Sequence, residues 1–311
     1  MRLLRLVPSS THIGFMRRRL VAFAFTGALT VAALISLAVQ GLNLGLDFTG
    51  GLLIEARAEA PVDLATLRPR IAALGLGATS LQTFGDDNSI LIRAQYQTGA
   101  RDAQTQAIER VRGVLGSAFE VRRTEVIGPQ VSHELLVNGL LASFLAVVLI
   151  AVYVWFRFEW QFGIAALITT FHDVIATLGL FSLFQLEFNL TVVAAVLTIA
   201  GYSVNDTVVV FDRIRENLRR YTQMPLSQLI DLSINQTLSR TVLTGVTTML
   251  AVLALLFFGG PVLFNFSAAL AFGILIGTYS SIFVAAALLL HLSPVRALEA
   301  PAEQPTKVLG T

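Results

Sequence analysis

The sequence predicts an α-helical membrane protein with six transmembrane helices, arranged one plus five, and a small α+β domain after the first helix. Three observations carry this reading. Of 311 residues, 55% are hydrophobic and only 14% charged, whereas a soluble domain carries roughly 25% charged residues. Six apolar runs each approach or exceed the length of about 20 residues that crosses roughly 30 Å of hydrocarbon as a helix. Between the first and second of them lies a polar stretch, 41–130, in which helical and strand periods alternate.

Taken in order, a tail at 1–19 holds Arg2, Arg5, Arg17, Arg18 and Arg19 and leads into the first span, 20–40. A signal peptide has an apolar region of about 7 to 15 residues and a small-residue cleavage site. Neither fits, so the span is expected to be an uncleaved anchor.

In the domain at 41–130, Leu52, Ile54 and Ala56 alternate with polar residues as in a strand, and Leu64, Leu67, Ile71 and Leu74 recur at helical spacing. Short strand-like runs at 78–84 and 89–94 flank the turn signal Gly85-Asp86-Asp87-Asn88. Ala107, Ile108, Val111, Val114 and Leu115 form a second helical face ended by Gly116, and 119–127 reads as a last strand. The order βαββαβ is the ferredoxin-like arrangement.

The bundle, 131–292, is predicted to span at about 135–155, 162–184, 190–212, 236–258 and 264–290. Before the fifth span, at about 225–235, Leu226, Leu229, Ile230 and Ile234 share a face in a segment too short to cross. It is expected to lie along the cytoplasmic interface or to connect beneath the bundle. The last span carries Ala269, Gly273, Gly277, Ser281 and Ala285 at every fourth position. Small residues let a helix backbone approach closely, either within this chain or in a second one.

Orientation follows from arginine, because short loops rich in Lys and Arg stay cytoplasmic. The N-terminal tail, the connection with Arg213, Arg215, Arg219, Arg220 and Arg240, and the tail 293–311 with Arg296 and Lys307 carry these charges, while the loops at 184–189 and 259–265 carry none. Both termini are expected in the cytoplasm and the small domain outside.

Composition also excludes functions. The chain has no cysteine, and His12, His133, His172 and His291 are scattered without metal-ligand spacing. No metal, cofactor or catalytic constellation is expected, and therefore no enzyme. A net charge of +2 gives no reason to expect nucleic acid.

What stands out is Asp206, an ionisable group inside the fourth span. A charged Asp at mid-bilayer costs roughly 2.5 to 3.5 kcal/mol, so such groups point to function and to a partner. At 1.5 Å per residue, Asp206 falls roughly 9 Å inside the cytoplasmic boundary and Arg240 of the fifth span roughly 6 Å. The two are expected to be counter-ions, acting as a proton-driven switch or merely locking helices together. Asn205, Thr207 and Ser203 would supply donors and room for water. His172 and Asp173 on the third span either extend a relay outward or form a structural polar cluster. Glu187, in the outer loop, is expected to be solvated.

The runs GLNLGLDFTGG at 41–51, VIGPQVSHEL at 126–135, FRFEWQF at 156–162, HDV at 172–174, GYSVNDTVVVFDRIREN at 201–217, NQTLSRT at 235–241 and IGTYSSIF at 276–283 together resemble the SecF family of bacterial protein-export subunits. That resemblance implies a resistance-nodulation-division type membrane protein in the bacterial cytoplasmic (inner) membrane, with its domain periplasmic. It implies a SecD partner of similar six-helix design, a place beside the SecYEG channel with accessory subunits such as YajC, and use of the proton-motive force to help move the translocating preprotein. It further implies that Asp206 and Arg240 are proton-pathway residues and that a facing carboxylate lies on SecD. The motif Asp47, Phe48, Thr49, Gly50, Gly51 would join the first helix to the outer domain, as a hinge or as a functional contact. Two alternatives remain: a non-transporting assembly factor of the translocon, and a half-unit of a related proton-driven exporter.

Overall fold

The structure, a computed structural model, describes residues 11–97 and 102–292. The tail 293–311, with Arg296 and Lys307, and the first ten residues, with Arg2 and Arg5, lie outside the described residues. Six helices are long and apolar enough to cross a membrane. The first, α1 (Arg19–Gln40), follows a segment anchored by side chains from far along the chain: Met16 N donates to Asp231 Oδ1 (2.9 Å) and Ile13 N to Asn235 Oδ1 (3.0 Å).

After α1 come β1 (Asn43–Leu44), a single helical turn α2 (Leu46–Thr49), and the outer domain: β2 (Gly51–Ala58), α3 (Leu64–Ala72), β3 (Thr79–Phe84), β4 (Asp86–Ala94), α4 (Ala103–Leu115) and β5 (Phe119–Ile127). The sheet order is β3-β4-β2-β5 with every pairing antiparallel. Alternation decides which side is covered. Leu52, Ile54 and Ala56 of β2 pack with Ile90 and Ile92 against Leu67 and Ile71 of α3 and Ala107, Val111 and Leu115 of α4. The opposite face gives Leu53 and Leu91 to Leu46 of α2. The four-residue turn expected at 85–88 is tighter in the structure. Gly85, at φ +86°, makes the reversal, and Asp86 already pairs with Phe84, a conformation open to glycine at little steric cost.

The bundle follows: α5 (Pro129–Arg157), α6 (Trp160–Leu183), β6 (Glu187–Phe188), α7 (Leu190–Arg220), α8 (Leu226–Phe258), α9 (Gly260–Ser280), a π-helical turn (Ser281–Ala285) and α10 (Ala286–Leu292). The separate interfacial segment expected at 225–235 does not exist as such. It forms the first turns of the 33-residue α8, with Leu229, Ile230 and Ile234 buried in the bundle core. The polar Ser233 and Gln236, which resemble the end of an apolar span, are instead taken up by α7: Asn217 Nδ2 donates to Ser233 Oγ (2.8 Å) and Gln236 Oε1 (2.9 Å). Those bonds also fix the register between α7 and α8.

Close approaches hold the helices. A Cβ added at Gly179 of α6 would stand 2.2 Å from Ala33 Cβ of α1. On α9, a Cβ at Gly273 would lie 2.4 Å from the Ile199 side chain and one at Gly277 3.3 Å from Ser203 Cβ, so the small-residue ladder faces α7 of this same chain. Gly273→Val is therefore expected to force α7 and α9 apart and to destabilise the folded protein by about 1 to 3 kcal/mol. A thermal unfolding midpoint in detergent equal to wild type would contradict this packing.

Candidate functional site

Asp206 lies on α7 and is 5% exposed. Its neighbours diverge, Asn205 being exposed and Thr207 buried. Thr207 Oγ1 is 2.8 Å from Ser281 Oγ in the π-helical turn, and Ser281 Oγ reaches the Ser203 carbonyl at 3.3 Å. Asp206 Oδ2 is buried and makes no hydrogen bond, and the same holds for Thr241 Oγ1 on α8, the hydroxyl that interacts with the Asp206 carboxyl across the helix pair.

The expected pairing of Asp206 with Arg240 is open rather than closed. No ion-pair contact within 4.0 Å joins them among the described residues, and Arg240 is exposed, although its guanidinium is near enough to act electrostatically on the carboxyl. The reason is angular. The Asn217 bonds set α8 so that Thr241 is buried against α7, and one residue back along a helix is a rotation of about 100°, which carries Arg240 onto the bundle's outer surface. The level along the helix was legible, but the azimuth was not.

His172 and Asp173 of α6 do meet α7 and α9. Asp173, fully buried, accepts from Ser203 Oγ (2.5 Å) and Ser280 Oγ (2.8 Å) on one oxygen and lies 3.0 Å from His172 Nδ1 through the other. His172 Nε2 is buried without a partner. A π-helical turn takes in one extra residue relative to α geometry, and such turns cluster at functional sites. This one begins where two consecutive hydroxyls diverge, Ser280 toward Asp173 and Ser281 toward Thr207. The result is a polar seam across three helices, one turn of α7 from Asp206.

At the other end of α7 the DFTGG motif makes contacts that local sequence does not announce. Asp47 Oδ2 accepts from Leu190 N (2.8 Å), capping α7 alongside Asn189, whose side chain accepts from Val192 N (3.1 Å). The strands β1 and β6 pair in parallel, Gly45 N donates to the Phe188 carbonyl (2.8 Å), and Phe48 stacks on Phe188 at 6.0 Å. Gly51, at φ +124°, brings its Cα so near β4 that an added Cβ would stand 2.5 Å from the Ala94 carbonyl oxygen. Gly50, at φ +65°, lies under α5, where an added Cβ would be 3.0 Å from Ser132 Oγ. Thr49 Oγ1 closes the α2 turn onto the Gly45 carbonyl.

Glu187 is not merely solvated, as the sequence suggested. It forms an ion pair with Arg93 of β4, with both side chains mostly buried. Arg93 comes from a strand about ninety residues earlier, and no local pattern pairs the two. The outer domain also touches the bundle at Gly85, where an added Cβ would be 2.6 Å from Pro261 Cγ. Among the described residues, no three His, Asp or Glu side chains gather as a metal site would require.

The family model for protein export membrane protein SecD/SecF, C-terminal, matches residues 107–294, and the SecD/SecF GG motif matches residues 35–62, a range that contains the α7-capping Asp47. Protein translocase subunit SecF of Rickettsia rickettsii is 44% identical over 290 residues, covering 92% of this chain and 94% of that protein. Its counterpart in Rickettsia prowazekii is 43% identical over the same length. The crystal structure of SecDF from Thermus thermophilus superposes with a TM-score of 0.85 at 38% identity, covering 93% of this chain and 40% of the longer solved chain. A second SecDF structure, in a super-membrane-facing form, superposes at 0.68 with 37% identity. With a family model across more than half its length and a relative this similar along nearly all of it, the chain belongs to the SecF family of protein translocase subunits.

Proposed function

We propose that this chain, paired with a SecD partner beside the SecYEG channel and its accessory subunits such as YajC, couples the proton-motive force to late steps of preprotein translocation. The observation that carries the reading is the Asp206 carboxyl: buried, with one oxygen unpartnered, in a span where the neighbouring Ser203 and Thr207 hydroxyls are engaged elsewhere. An unpaired buried oxygen is costly, and either a proton or a water satisfies it. Thr241 Oγ1 stands ready to accept from the protonated acid or to donate to the carboxylate. A proton crossing 100 mV delivers about 2.3 kcal/mol, enough to drive a switch between two such arrangements.

Arg240 then serves across the subunit boundary. An exposed guanidinium at bilayer depth needs an acid, and the resemblance to SecF puts that acid on SecD. The missing Asp206–Arg240 contact weighs against the helix-locking alternative, which needs the pair closed. The arginine-rich end of the bundle marks the cytoplasmic side of a bacterial inner membrane, with both termini there and the outer domain in the periplasm.

At the outer end, the Asp47 cap and the Arg93–Glu187 ion pair make the start of α7 part of the base of the outer domain. A shift of α7 when Asp206 changes protonation state is thereby passed to the domain as a rigid push. Asp47→Ala removes the cap and is expected to cost about 1 kcal/mol of stability. It should leave proton flux near wild type while export driven by the proton-motive force falls; equal losses in both would remove Asp47 from the coupling path.

The overall test is proton flux into vesicles holding this chain with SecD, with and without an imposed potential. Flux that does not exceed protein-free vesicles would end the proposal and leave the assembly-factor reading.

A further inference from the structure

The arginine-rich end of the bundle holds more than topology requires. A cleft of 610 Å³ opens between the ends of α5 and α7, lined by Arg157, Asp212, Arg215, Glu216, Arg219 and Arg220. Its two carboxylates are already answered. Asp212 takes both oxygens to Arg157 Nη2 (2.8 and 3.1 Å), and Glu216 pairs with Arg213 (2.8 Å). Arg215, Arg219 and Arg220 are left without an ion-pair partner among the described residues. Arg215 is held in place by a bond from Nη1 to the Arg157 carbonyl (3.4 Å), yet its Nε is buried and makes no hydrogen bond.

Trp155, Phe156 and Trp160, beside Arg157 in sequence, are 66%, 86% and 50% exposed. Exposed tryptophans of this kind sit at the level of lipid headgroups. A guanidinium offers a planar fork that matches phosphate oxygens two at a time, and basic pockets between spanning helices on this side of a membrane suit anionic headgroups. The positive-inside tendency explains why arginines lie at this end. It does not explain why three of them converge on one cleft with a buried donor left open.

We propose that this cleft binds the phosphate of an anionic phospholipid of the adjoining leaflet, with Arg215, Arg219 and Arg220 as its ligands. The site is independent of proton coupling at Asp206, on the same helix but toward the membrane interior. Bound there, the headgroup bridges α5 and α7 beside the Arg157–Asp212 pair, the Arg215 bond and the Phe158–Phe211 contact that already tie their ends.

The chain contains two tryptophans, and both flank Arg157, so their fluorescence reports on lipid at the cleft. The full chain is reconstituted in phosphatidylcholine vesicles containing a minor fraction of brominated phosphatidylglycerol or, in parallel, brominated phosphatidylcholine. The anionic quencher is expected to be enriched by roughly tenfold over the zwitterionic one. The double variant Arg215→Lys, Arg219→Lys keeps charge and topology but loses the forks, and should lower that enrichment several-fold. Equal quenching by the two lipids overturns the site, and so does a double variant that behaves as wild type. If added inorganic phosphate abolishes the preference, the cleft takes free phosphate and the lipid assignment falls.

Discussion

Asp206→Asn is expected to abolish proton flux in vesicles containing this chain and SecD, while the complex still assembles and its thermal stability is unchanged or rises by about 1 kcal/mol. The sign of the stability change separates the readings. If Asp206 were a structural counter-ion, its replacement would leave a buried charge uncompensated and the fold would suffer by about 3 to 5 kcal/mol. No charged partner closes an ion pair with it among the described residues: Arg240 is exposed, and Asp206 Oδ2 has no hydrogen bond. An amide of the same shape removes a buried acid at no cost in contacts, but it cannot take up a proton. Arg240→Met should likewise fold and fail to conduct, because the exposed guanidinium closes no hydrogen bond or ion pair with the described residues. A flux within twofold of wild type for Asp206→Asn would place the proton path elsewhere.

Much of this architecture was legible because hydropathy and period are local properties. The spans, the βαββαβ order and the presence of an acid, Asp206, inside an apolar span all follow from runs of a few to twenty residues. What local pattern does not carry is which way a residue faces once two helices meet. Arg240 and Thr241 are one position apart, and the bonds from Asn217 to Ser233 and Gln236 decide which of them sees α7. The same holds for Asp47, whose partner is the Leu190 amide, and for Glu187, whose partner is Arg93. Ser280 carried a weak signal, standing beside Ser281 in a span built mostly from small and apolar residues, but the fourfold ladder takes in Ser281 for packing and passes Ser280 by. The end of the fifth span was misplaced because Ser233, Asn235 and Gln236 look like solvent-facing residues until Asn217 and the chain's first turns are brought against them.

The polar seam yields the second large effect. Asp173 differs from Asp206 in that three of its about four lone-pair sites are in use, by Ser203 and Ser280 on one oxygen and His172 on the other. A group that carries protons must have a free lone pair in one state, and Asp173 has little to offer without breaking bonds to three helices. Its geometry therefore fits an anchor that fixes α6, α7 and α9 beside Asp206. Asp173→Ala strands the Ser203 hydroxyl and an imidazole nitrogen in a buried site and leaves Ser280 Oγ only the Gly277 carbonyl (3.1 Å). Each orphaned donor costs about 1 to 3 kcal/mol in a soluble interior, and hydrogen bonds between membrane helices average about 0.6 kcal/mol with a maximum near 1.7. The expected loss is about 2 to 4 kcal/mol, read as a lowered unfolding midpoint in detergent. Asp173→Asn keeps one acceptor oxygen, and the serine hydroxyls can rotate to accept from its amide, so most of the stability should return, and flux with it. A stable Asp173→Asn protein that no longer conducts would instead make Asp173 a member of the proton path, with His172 Nε2 as its outlet.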